Sequence, residues 1–180
     1  MARKSRPSLR QYAPLILIAM VSCAITAFIL LQSVNRRTAD GQFMDVVIGG
    51  EKFTLELALN QETIEKGLMD RESIPDHGGM LFAFPRSDVH DFWMGNCLVD
   101  LDIVFLDGTG RVTARHTMKV EPPRGQNETE FDYRKRMPIY SSRLPAQFAI
   151  ELQAGKFERL GVGVGDRIEL DLPRLKALVH

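Results

Sequence analysis

Asp102 stands in the run Leu101-Asp102-Ile103-Val104-Phe105-Leu106, where every companion side chain is apolar. A carboxylate in such a run must find a partner or take up a proton, because burying an unpaired charge is costly. The partners on offer are Arg71, Asn96 and backbone amides. The carboxylate can then serve as a buried structural bond or as a shifted acid, base or ligand-binding group. Just upstream, Asp91–Leu98 reads as a strand, which places Met94 and Asn96 on one face and Trp93 on the other. Trp93 is the only tryptophan of the chain. It suits a core or the wall of a ligand pocket. Arg71, Trp93, Asn96 and Asp102 are therefore the candidate ligand-binding residues.

Other chemistry is poorly supplied. A nucleophile at Ser141 or Ser142 would need a base nearby, and no G-x-S-x-G elbow is present. Those hydroxyls read as bonding backbone in the turn that follows. The histidines, His77, His90, His116 and His180, include no two spaced at i+2 or i+4. Asp88-Val89-His90-Asp91 reads as an exposed turn rather than a metal site. The glycines of Gly161-Val162-Gly163-Val164-Gly165 lack the strand-to-helix setting of a nucleotide fingerprint. No metal and no cofactor are expected. Cys97 is the only thiol after residue 40, so the body forms no internal disulfide, and Cys97 reads as a small core residue.

The elements that would position these residues start at two strand-like runs, Phe43–Ile48 and Lys52–Leu59, joined by Gly49-Gly50. Gly-Gly between such runs predicts a tight hairpin. Asn60 is a good N-cap for a short helix over 61–69, with Glu62 in its first turn. Met80–Phe84, Asp91–Leu98, Leu101–Leu106 and Arg111–Val120 read as an antiparallel meander, because their connections are too short for parallel crossovers. Residues 121–139 hold three prolines and mixed charge and read as a long solvated loop. Gln147–Leu152 is a further strand, Ala154–Leu160 a short helix, and Arg167–Leu170 a last strand.

The whole chain has 180 residues, equal numbers of acidic and basic side chains, and average composition. That leaves room for one domain and excludes collagen-like, disordered and disulfide-framework classes. The neutral total conceals a basic head: residues 1–40 carry a net of +5 and the remainder −5. With zero net charge and no long basic run, no nucleic-acid partner held by phosphate contacts is expected. Ala13–Leu31 contains no charge over 19 residues, a helical length of roughly 28 Å that matches a bilayer core. Four basic residues precede it and two follow, which keeps the N-terminus in the cytoplasm. A cleaved signal peptide and a lipoprotein site at Cys23 are alternatives. The first lacks a small-residue cleavage site, and the second is followed by apolar rather than polar residues.

Several blocks carry a resemblance. They are Gly67-Leu68-Met69-Asp70-Arg71, Gly79-Met80-Leu81-Phe82-Ala83-Phe84, Phe92-Trp93-Met94-Gly95-Asn96-Cys97 and Leu101-Asp102-Ile103-Val104-Phe105-Leu106-Asp107. Further blocks are Tyr140-Ser141-Ser142, Pro145-Ala146, Glu151-Leu152-Gln153-Ala154-Gly155, Leu160-Gly161 and Gly165-Asp166. Their order and spacing over about 44–171 resemble the domain-of-unknown-function 192 family. The resemblance implies one compact β-rich domain, often secreted or membrane-tethered, and no particular activity.

The expected molecule is thus a basic cytoplasmic head (1–12), a transmembrane anchor (13–34), a linker (35–42), a globular domain (43–172) and a tail (173–180). The domain is α+β, with a mainly antiparallel sheet that could close partly into a barrel and two short helices. Its expected role is non-catalytic binding of a small polar ligand, such as a sugar, outside the cytoplasm. An envelope accessory that contacts another protein is one alternative. A hydrolase using Asp102 with Ser141 or His116 is the other.

Overall fold

The first strand, β1 (Phe43–Ile48), alternates exposed and buried side chains without a break, so one face must be covered. It turns through Gly49 and Gly50, whose φ values of 57° and 84° suit the twist of a two-residue hairpin. β2 (Glu51–Ala58) returns antiparallel, with Ile48 opposite Glu51. A computed structural model supplies these coordinates and describes residues 43–179. The expected anchor and linker lie outside the described residues, and among the described residues no helix is long and apolar enough to cross a membrane.

Helix α1 (Gln61–Lys66) starts as expected at Asn60. The Asn60 side chain accepts from Thr63 N at 3.0 Å, and Thr63 Oγ1 accepts from Asn60 N at 3.3 Å, a reciprocal cap. Gly67, at φ 48°, ends the helix earlier than the expected 69. The remaining elements are β3 (Met80–Asp88), β4 (Asp91–Phe92), β5 (Leu101–Leu106), β6 (Val112–Met118), α2 (Glu130–Arg136), β7 (Tyr140–Ser141), β8 (Ala146–Gln153), α3 (Lys156–Arg159) and α4 (Leu172–Leu178).

The domain is α+β, built on a mixed six-stranded sheet in the order β1-β2-β3-β8-β5-β6. Two expectations are corrected here. β2 and β3 pair in parallel, across the α1 connection, while the other pairs are antiparallel. The expected meander is interrupted, because β8 inserts between β3 and β5. The physical reason lies in burial. Every residue of β5 is buried, as are the first five of β3, and strands apolar on both faces belong inside a sheet with both faces covered.

Two apolar clusters result, one on each face. The first gathers Val46, Leu55, Leu81, Val104, Phe148, Ile150 and Phe157. The second gathers Leu68, Phe82, Met94, Ile103, Phe105 and Ala149. Alternation sends neighbours on one strand to different clusters: Val104 and Leu106 to the first, Ile103 and Phe105 to the second.

Other segments depart from their sequence reading. After Phe92 the chain leaves the strand and turns, so Asp91–Leu98 is mostly not β-structure. The long loop holds α2. Its signal was local: Thr129 caps Asp132 N at 3.1 Å, with acids in the first turn and bases in the last. The expected last strand makes only isolated bridges, Glu169 to Val47 and Arg167 to Arg111, which lace β1 to the start of β6. Residues 173–180, read as a tail, lie largely in α4, whose Leu175 is fully buried in the first cluster.

Candidate functional site

Glu151 sits on β8 opposite Ile103 of β5 and Met80 of β3. Strand alternation turns Phe148, Ile150 and Leu152 toward the first cluster, so Glu151 faces the second. Its side chain is only 5% exposed and makes no hydrogen bond with any described residue. Burial pushes the carboxyl up to about 8, against the pull of the Arg71 charge. At neutral pH it is therefore a protonated acid capable of donating a hydrogen bond.

This carboxyl lies at a pocket of about 340 Å³. The lining includes Met69, Phe92, Trp93, Cys97, Arg134 and Glu151. Gly67 stands beside the acid, and a Cβ there would be 3.7 Å from Glu151 Oε2. Cys97 is buried next to it. Burial, then the carboxylates of Glu151 and Asp70, push its thiol up to about 12, which makes it an inert lining group.

The rim is aromatic. Phe92 is anchored by edge contacts to Phe82 and Phe105, with centroids 5.0 and 5.5 Å away. Trp93 meets Tyr133 of α2 edge-on at 5.9 Å, and the Arg134 guanidinium lies 4.7 Å from its ring centroid. Gly95 is required there, since a Cβ at this position would stand 2.2 Å from Trp93 Cζ3. A tight turn, closed by Cys97 N donating to Met94 O at 3.2 Å, sets this geometry, with Asn96 at φ 56°. Asn is among the residues that tolerate that left-handed conformation.

The sequence candidates divide. Trp93 lines the pocket, and Arg71 backs it electrostatically while forking onto Glu56, with Nη2 donating to Oε2 at 2.7 Å. Asn96 is exposed on the turn rather than on a strand face shared with Met94. Its backbone works instead: its N–H donates to Tyr133 Oη at 3.1 Å and its carbonyl accepts from Asp70 N at 2.8 Å. Its side chain borders a shallow groove beside Trp93 and Arg134.

Asp102 is buried as expected, at 1% exposure, yet it meets neither Arg71 nor Asn96. It accepts from Thr117 Oγ1 at 2.8 Å and from Phe157 N at 3.2 Å. Asp102 and Leu152 are register partners, so its side chain lies on the sheet face away from Glu151. The sequence reading passed over Glu151, although Phe148-Ala149-Ile150-Glu151-Leu152 carries the same signal as Asp102, an acid in an apolar strand.

The hydrolase constellation is not assembled. His116 Nε2 is 2.8 Å from the backbone oxygen of Ser141, not its hydroxyl, and Ser141 Oγ accepts from Arg143 N. Ser142 Oγ donates to Leu144 O at 2.8 Å, the backbone role expected of it. Among the described residues no group of three acids, histidines or cysteines could hold a metal ion.

A mixed-sheet α+β domain with an aromatic-rimmed pocket over one buried acid is the class defined by this geometry. The chain belongs to the domain-of-unknown-function 192 family (DUF192, uncharacterized ACR), whose model matches residues 44–170. No curated protein matches the chain. Two crystal structures are similar. One is a Sinorhizobium meliloti 1021 protein described as a candidate transcription regulator. It is 31% identical with a TM-score of 0.56, and the match covers 69% of this chain and 89% of that one. The other is a Novosphingobium aromaticivorans DSM 12444 protein of unknown function. It is 28% identical with a TM-score of 0.58, and the match covers 72% and 86% of the two chains.

Proposed function

We propose that the domain is a non-catalytic binding module for a small polar ligand, held outside the cytoplasm by an anchor at residues 13–34. The observation that carries this reading is the largely buried Glu151 carboxyl, which makes no hydrogen bond with a described residue and lines a pocket walled by Trp93 and Phe92. Buried polar groups normally have partners, and a ligand would supply the missing one. Aromatic walls with a few convergent polar groups are what small-molecule sites present. Binding is favoured over catalysis because no described Ser hydroxyl or Cys thiol is hydrogen-bonded to an imidazole or a carboxylate; Ser142 Oγ meets only the backbone of His90 and Leu144, so the nucleophile–base requirement is unmet.

The description of the Sinorhizobium relative is not carried over as a nucleic-acid role, because the body is acidic, with a net of −5 after residue 40. The bridges from 167–169 to both sides of the sheet support reading it as partly closed at one end. An accessory role in contacting an envelope protein is the second reading. It is favoured by Phe131, 72% exposed on α2, and by the exposed Ile139 at the pocket edge.

The test is a thermal-shift screen of the full chain in detergent against sugars, amino acids, nucleotides and amines. A ligand should raise the melting temperature by mass action, and Trp93→Ala should abolish the shift. Failure of every compound to give a Trp93-dependent shift would overturn the binding-module reading and leave the accessory role.

A further inference from the structure

Charge pairing around the pocket is uneven. Its lining cations are already matched: Lys66 with Asp70 at 2.6 Å, and Arg134 with Glu130 at 3.2 Å. Glu65 and Asp91, also in the lining, make no ion pair with any described residue. Glu65 accepts only the amide of Gln61, at 2.8 Å. Glu151 lies deeper, without a hydrogen bond. A pocket of this composition repels anions and leaves carboxyl groups to be satisfied.

The aromatic wall adds an independent observation. Trp93 already accepts a guanidinium, that of Arg134, at 4.7 Å from the ring centroid. Arg134 is itself exposed, and its partner Glu130 is also exposed, so its position is weakly held. A cation from solution can occupy the same kind of position and gain the same attraction.

We propose that the ligand of this pocket is a small organic cation, a primary amine or guanidinium on a short apolar stem. Its charge would sit at Glu151 and its stem would lie along Trp93 and Met69. This rests on the reading of the pocket as a binding site and narrows the ligand class. Glu151 must ionise to receive the cation, so its proton passes to the buffer as the ligand enters. The groups facing Glu151 are Arg71, which favours ionisation, and the Cys97 thiol, which is also acted on by Asp70. From β3 and β5 its register partners, Met80 and Ile103, are apolar.

Isothermal titration of the full chain in detergent decides the matter, with agmatine, cadaverine, glucose and acetate as probes in phosphate and in MOPS buffers, neither of which carries a primary amine. An amine should bind with release of about one proton, and its affinity should rise about tenfold from about pH 6 to about pH 7. Glu151→Gln keeps the shape of the neutral acid but cannot ionise. It should melt like the parent at low pH, weaken amine binding by about tenfold or more, and remove the pH dependence. Amine binding unchanged in Glu151→Gln overturns the proposal, as does silence of both amines. Trp93-dependent glucose binding with silent amines overturns the cation class while the pocket reading stands. Loss of every Trp93-dependent shift in the wider screen removes both.

Discussion

Asp102 and Glu151 are two acids in adjoining apolar strands with opposite situations. Asp102 receives a hydroxyl and a backbone N–H, whereas Glu151 receives no hydrogen bond from the described residues. Asp102→Ala should destabilise the domain by about 1–3 kcal/mol, the cost of orphaning the buried Phe157 N–H. Asp102→Asn keeps an acceptor and should cost less, as urea melts will read, and neither should alter ligand binding. Glu151 predicts a pH effect. Its folded carboxyl keeps a proton up to about 8, whereas the ordinary value is 4.5. Between these values the folded state binds more protons, so stability falls as pH rises, by up to about 1.4 kcal/mol per pH unit. Urea melts across that window should show this slope in the parent and a flatter one in Glu151→Gln.

At the scale of elements, the pocket depends on where structure stops. α1 ends at Gly67, and the chain then supplies Leu68 and Met69 to the lining, with the Arg71 charge acting on Glu151 from behind it. β4 ends at Phe92, and the turn at Met94–Cys97 carries Trp93 to the rim. α2 supplies Tyr133 and Arg134 from the far side. Gly95→Ala tests this arrangement, because the added methyl overlaps the Trp93 ring. The ring must move, so emission from this lone tryptophan should shift and the Trp93-dependent ligand response should disappear. Unchanged emission would show that the turn can relax without disturbing the rim. The hairpin, the Asn60 cap and β5 were legible from sequence because each depends on neighbours in the chain. The turn at Met94–Cys97 was not, since Phe92-Trp93-Met94 has the composition of a strand and only its tertiary setting ends β4.

Across the described residues, the domain is a sheet with an apolar cluster on each face, with bridges from 167 and 169 to Arg111 and to β1, and with Leu175 of α4 buried in the first cluster. The charge asymmetry along the chain predicts its placement. Fusion of a cytoplasm-only reporter to His180 should give a dark reporter, and a bright one would sink the proposed outward topology. The expectation comes from the uncharged run at 13–31 and its basic flank.

The sequence by itself determined the elements whose signals are periodic or local: alternation in 43–58, the Gly49-Gly50 turn, the capped α1 and the apolar β5. It also determined that a buried acid would need a partner. Tertiary structure alone decided that β8 would separate β3 from β5 and that Glu151, not Asp102, would face the pocket. The physical reason is that two-residue alternation assigns a side chain to one of two faces without saying what covers either. Both faces of this sheet are apolar, so the pattern within β5 or β8 looks alike from each side. Only the packing of 67–97 and α2 against one face made a pocket there, while Phe157 and Thr117 satisfied the acid on the other.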